Sequence, residues 1–163
     1  MSHENRTAWA RQTGHVGVLL SALGVVVWAS GLPFLFPSLG PTAYLYATRP
    51  SAPACTPRRV LGGHAVGVAA GLLAYHTVAG GVVITASMTA GAPGTLRLAV
   101  SGVVAVMLTT VGMLATDTRH APACATTLIV GLGILPSLRE GGIILVAVAV
   151  LAVEHALVSR LFA

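Results

Sequence analysis

From Val16 to Thr48 the chain carries no Asp, Glu, Lys or Arg, a run of 33 residues. As one unbroken α-helix it would rise about 50 Å, well beyond the ~30 Å hydrocarbon core of a bilayer. The run is broken, because Pro33, Pro37 and Pro41 fall in its second half. Each proline removes a helical N–H and clashes with the preceding turn. The pattern predicts a long helix over 16–32, a break, and a short helix over 41–48. Pro41 then stands in a first turn, where its missing N–H costs nothing.

Composition extends this to the whole chain. Hydrophobic residues make up 55% and charged residues 8%, against about 25% charged in ordinary soluble domains. The chain is expected to be an all-α integral membrane protein. Its apolar runs are long and do not alternate, which argues against a β-barrel. The apolar run after Arg6 and Arg11 has no clear small-residue cleavage site, so it reads as a retained helix and not a signal peptide. All nine basic residues are Arg. They flank apolar runs instead of clustering, so the net charge of +5 reflects topology and not nucleic-acid binding. Cys55 and Cys124 lack any CxxC spacing, which supports neither a disulfide framework nor a zinc finger.

Further along, helices are expected over 60–79, 97–116 and 141–161, with a second short helix over 122–134. Gly63, Gly67 and Gly71 fall at i, i+4 and i+8, a spacing that lets helix backbones approach closely. The domain organisation is a cytoplasmic segment over 1–15, with Trp9 as an interfacial anchor, then one transmembrane domain over 16–163. Its halves, about 16–80 and 97–162, each read as long helix, break, short helix, long helix. The expected fold is four long transmembrane helices plus two short half-helices in a 3+3 inverted repeat. With the N-terminus inside, seven Arg are cytoplasmic and only Arg97 and Arg139 are outside, in line with the positive-inside rule. The C-terminus is then cytoplasmic too.

The second break, Arg119-His120-Ala121-Pro122-Ala123-Cys124-Ala125-Thr126-Thr127, is out of place in apolar sequence. Irregular polar backbone at membrane depth is tolerated only where it is buried in protein or lines a water-filled cavity. Helix N-termini present free N–H groups and a positive dipole end, which favour anions. In an inverted repeat the two short helices could meet near the midplane. Gly40, Thr42, Ala125 and Thr126 would then offer donors to one anion, and the flanking Ser38, Cys124 and Thr127 complete the candidate set. His120 and His64 could line the same cavity, His120 also as a proton carrier. Glu154, an acid inside the last helix, is the other proton-coupling candidate. A metal site would need two or more of His64, His120, Cys124 and His155 to converge, and none is expected. No catalytic signature is present, so neither enzymatic activity nor a cofactor is expected.

The ordered motifs Ser38-Leu39-Gly40-Pro41-Thr42-Ala43, Pro57-Arg58-Arg59, Gly62-Gly63-His64 and His120-Ala121-Pro122-Ala123-Cys124-Ala125-Thr126-Thr127 resemble those of the HPP family of small integral membrane proteins. That family is named for a His-Pro-Pro motif. The resemblance covers about 16–162. It departs at Ala121, where the signature has Pro, and at Cys124, where Gly is usual. Some family members, in plastids and cyanobacteria, are implicated in nitrite transport. The resemblance implies a transporter or channel for a small inorganic anion, of which nitrite is one. A non-transporting membrane scaffold and a cation or metal transporter are the alternatives. The expected partners are the small anion and the lipid bilayer, with homo-oligomerisation left open.

Overall fold

In the computed structural model, residues 3–85 and 88–161 are described. The first proline-broken run becomes two elements. Helix α1 spans His3–Ser30 and α2 spans Leu39–Thr48. Helix α1 ends where Gly31 adopts a φ of +66°, a left-handed conformation that glycine tolerates best. Pro33 and Pro37 keep the next residues out of helix, and α2 starts two residues ahead of Pro41. Helix α1 begins well before Val16, so its polar first turns are helical rather than a loose segment.

A 3₁₀ turn, Pro53–Cys55, leads into α3, Pro57–Ala74, which closes in a π turn over Tyr75–Ala79. Helix α4 spans Pro93–Ala115, the short α5 spans Ala123–Gly131, and α6 spans Leu138–Leu161. The described residues contain helices and no strands.

Among the described residues three helices, not the expected four, are long and apolar enough to cross a membrane: Asn5–Ser30, Pro93–Ala115 and Leu138–Arg160. The exception is α3. It carries Arg58, Arg59, His64 and four glycines, which lower its hydropathy. It can afford them because it is the central element. It packs on α4, α5, α6 and the Pro53–Cys55 turn, and its residues Val60, His64, Val68 and Ala74 are buried. Protein, not lipid, is its main neighbour.

Contacts at the two ends of the bundle give the course of the chain. At one end, a cleft of about 130 Å³ is lined by Trp9, Gln12 and Thr13 of α1 with Tyr44 and Thr48 of α2, so α2 runs back along α1. Arg58 donates to the Thr116 carbonyl, and Arg59 pairs with Asp117 at 3.0 Å, which brings the start of α3 to the end of α4. At the other end, Arg97 donates to the Val78 carbonyl, and the Ile84 N–H donates to the Leu132 carbonyl. The main core lies between α1, α2, α3 and α6, with Leu19, Leu23, Leu39, Tyr46, Ile144, Val148 and Leu151 buried in it.

Helix α5 lies against the glycine face of α3. A Cβ at Gly63 would meet His120 Cβ at 2.9 Å, one at Gly67 the Ala123 carbonyl oxygen at 2.8 Å, and one at Gly71 Val130 Cβ at 2.7 Å. The i, i+4, i+8 glycines therefore serve the α3–α5 approach. That approach carries the start of α5 into the middle of the bundle.

Candidate functional site

Both short helices begin inside the protein. Ser38 immediately precedes α2, and Thr42 is its fourth residue. Pro122 immediately precedes α5, and Thr126 is its fourth residue. The two starts touch: Ser38 Oγ and Thr126 Oγ1 are 2.7 Å apart, and both side chains are fully buried. Helix α3 adds His64 to this point, and the irregular segment ahead of α5 adds His120.

These five side chains form one hydrogen-bonded group. His64 Nδ1 lies 2.7 Å from Thr126 Oγ1, and His64 Nε2 lies 3.3 Å from Thr42 Oγ1. His120 Nε2 lies 3.1 Å from the same Thr42 oxygen. Thr42 Oγ1 is also 3.1 Å from the Ser38 carbonyl, to which it can donate. His120 Nδ1 lies 2.9 Å from the Ala54 carbonyl of the Pro53–Cys55 turn. The imidazole centroids are 5.2 Å apart, tilted by 53°. The hydroxyls of Ser38 just ahead of α2, Thr42 of α2 and Thr126 of α5 thus meet two imidazoles in an otherwise apolar interior. Burying such groups is costly unless they are hydrogen-bonded, and here each has a partner.

A match to the family model described as "HPP, transmembrane region" covers residues 2–162. The chain belongs to the HPP family of transmembrane proteins. No curated protein and no solved structure gives a significant match. His120, whose His-Ala-Pro setting resembles the family's His-Pro-Pro motif, is one of the two histidines at the contact of the short helices.

Not every candidate residue joins the group. Thr127 is buried but turns toward α4, where its Oγ1 lies 2.7 Å from Thr109 Oγ1. Gly40, Cys124 and Ala125 are half-buried. The backbone N–H of Ala125, proposed as an anion donor, donates instead to the Pro122 carbonyl, and those of Ala123 and Cys124 donate to the His120 and Ala121 carbonyls. Tight turns satisfy the first amides of α5 locally, so hydroxyl and imidazole groups carry the polarity of the site. Glu154 lies on α6, its Oε2 is buried without a hydrogen-bond partner, and no hydrogen bond joins it to the group among the described residues. Among those residues no three His, Cys, Asp or Glu side chains are placed to hold one ion.

Three features were missed from sequence. The Ala54 carbonyl that anchors His120 is a backbone atom and leaves no signal. Ser101 and Thr109 are buried on the α5-facing side of α4, and Ser101 Oγ donates to the Gly131 carbonyl. Ser101, Ala105 and Thr109 fall at i, i+4 and i+8, a small polar stripe that could have been found. A second stack joins Tyr46 and His155, with ring centroids 3.9 Å apart, and His15 lies beyond His155.

Proposed function

We propose that the protein transports a small inorganic anion, nitrite among the candidates, through the contact between the starts of α2 and α5. The observation that carries this reading is the group of five buried hydroxyl and imidazole side chains where two half-helices meet. Discontinuous helices that start near the midplane are a recurrent way of building substrate sites in transporters. In the state described, the donors bond to one another. An anion entering here would take the place of Thr126 as acceptor of the Ser38 hydroxyl, while Thr126 stays bonded to His64.

The same reading includes a 3+3 inverted repeat. Thr42 and Thr126 occupy the same position in the two short helices, which supports it. The course of the chain would bring Arg6, Arg11, Arg49, Arg58, Arg59, Arg119 and Arg160 to one side and Arg97 and Arg139 to the other. The positive-inside rule then makes the first side, with both termini, cytoplasmic.

The test is flux of nitrite into proteoliposomes, with nitrate and chloride as comparators. Uptake above empty vesicles that is lost in Ser38→Ala and Thr126→Val supports transport. Uptake equal to empty vesicles at every imposed pH gradient refutes it. One observation favours a scaffold as the second reading: the polar group is satisfied internally, and the clefts at Trp9–Thr48 and along Ala99–Val104 include none of its residues. A scaffold would keep its fold and give no flux.

A further inference from the structure

Every proton in the buried group can be assigned from one carbonyl. The Ala54 oxygen only accepts, so His120 Nδ1 must carry a hydrogen. In neutral His120 the Nε2 atom is then bare and can accept the Thr42 hydrogen, for which the Ser38 carbonyl competes at the same 3.1 Å. With its one hydrogen committed, Thr42 must accept from His64, so His64 carries its hydrogen on Nε2. His64 Nδ1 is then bare and accepts from Thr126, which in turn accepts from Ser38. The neutral pair therefore holds opposite tautomers.

This assignment leaves one contact idle. Thr42 Oγ1 has three partners, His64 Nε2, His120 Nε2 and the Ser38 carbonyl, and a hydroxyl offers one donor and two acceptor sites. All three contacts become hydrogen bonds only when both Nε2 atoms carry hydrogen and Thr42 donates to Ser38. That state differs from the neutral one by a single proton on His120 Nε2. No other hydrogen bond is broken, because the Thr42 hydroxyl only turns from His120 to Ser38. Placing the proton on His64 instead would reverse Thr126 and Ser38 and leave the Ser38 hydrogen to find a new acceptor.

We infer that His64, Thr42 and His120 form a site for one proton, held on His120 with Thr42 as the switch, and that this proton binds together with the transported anion. The second half of the inference rests on the transport reading; the first does not. A lone charge buried here is expensive, and an anion beside Thr126 and His64 would offset it. Linkage makes the effect reciprocal: if the anion favours the proton, the proton favours the anion by the same factor.

The other titratable or charged groups near the pair do not displace this role. Helix α3 carries Arg58 and Arg59, bonded to the Thr116 carbonyl and to Asp117. The segment ahead of α5 carries Asp117 and Arg119, which face each other at 3.9 Å. Cys55 of the 3₁₀ turn donates to the Arg49 carbonyl, and Cys124 is half-buried on α5. On α2, Tyr46 stacks on His155 of α6. Of the two acids on α6, Glu140 accepts from Ser137 at the helix start, and no hydrogen bond joins Glu154 to either histidine among the described residues. No carboxylate bonds either imidazole of the pair among the described residues.

The experiment is ¹⁵N NMR of histidine-labelled full-length protein in micelles, with proton uptake measured on addition of nitrite. The expected spectrum has His120 as the Nδ1–H tautomer and His64 as the Nε2–H tautomer. As pH falls or nitrite is added, His120 alone becomes imidazolium, with up to one proton taken up per anion bound. Thr42→Val should abolish the linked uptake, and Thr42→Ser should restore it. Matching tautomers in the two residues, or titration of His64 in place of His120, overturns the proton site. Nitrite flux without linked uptake overturns the coupling and spares transport. A titrating His120 without any flux removes transport and spares the proton site.

Discussion

Gly67→Ala tests how the site is held in place. The added Cβ would sit 2.8 Å from the Ala123 carbonyl oxygen and 2.9 Å from Thr127 Oγ1. Relaxed carbon–oxygen contacts are about 3.3–3.6 Å, so α3 and α5 must part by roughly 0.5 Å. One of the two atoms is backbone, so a rotamer change cannot absorb the strain. Overpacking of this kind costs about 1–3 kcal/mol, and the helix propensity of Ala over Gly returns about 0.8–1 kcal/mol. Gly24→Ala in α1 supplies the control, because a Cβ there meets nothing within 4 Å. The propensity gain is common to both variants, so their difference isolates the steric part at about 1–3 kcal/mol. Unfolding in mixed micelles by SDS titration reads both on one scale. Gly67→Ala should also lift Thr126 away from His64 and disturb the His64 tautomer. A Gly67→Ala protein as stable as Gly24→Ala would refute the close α3–α5 approach, and with it the placement of Thr126.

Other outcomes can be read on the same titration. Thr126→Val strands Ser38 Oγ and His64 Nδ1 and should cost about 1–3 kcal/mol, the price of a buried polar group left unpaired. The Thr109–Thr127 pair, measured by a double-mutant cycle with valine, should couple by only about 0.6 kcal/mol, the usual value between membrane helices. Gly133→Ala should destabilise more than Gly91→Ala. Both glycines have positive φ, but only at Gly133 would a Cβ meet backbone, the Val82 carbonyl oxygen at 2.6 Å. The hydrogen bond and charge of Arg59 hold the Asp117 carboxyl below its usual range. Whatever stability this adds is present above the unfolded-state value and lost as pH falls through the folded one. Asp117→Asn should therefore differ from the parent near neutral pH and converge with it in acid.

The prolines made the short helices legible. Pro33 and Pro37 disfavour helix for a local steric reason, and Thr42, Thr126 and His120 could be proposed from the two breaks, with His64 added from the early part of the next long helix. What they could not give is which donors are free. The Ala125 amide was a reasonable anion ligand until the turn at Pro122 claimed it, and that turn depends on local dihedral angles. The count of long apolar spans failed at α3 because hydropathy assumes a lipid neighbour. Helix α3 turns its Gly63, Gly67 and His64 face into the protein and packs there on its neighbours, so these residues cost it little. The early start of α1 was hidden for the opposite reason: its first turns are polar, and nothing in an apolar pattern reports a helix that continues beyond the bilayer.

The lengths of the two short helices have a mechanical consequence. Ten residues in α2 and nine in α5 rise about 15 Å and 14 Å, which together come close to the ~30 Å hydrocarbon thickness. Meeting start to start, each would act, on the proposed transport reading, as the door to one face of the membrane, hinged at the same polar latch. Swinging one door by a few ångströms would wet the latch from that side while the other door stays shut. A single bond, Ser38 to Thr126, would then be what both doors must release in turn.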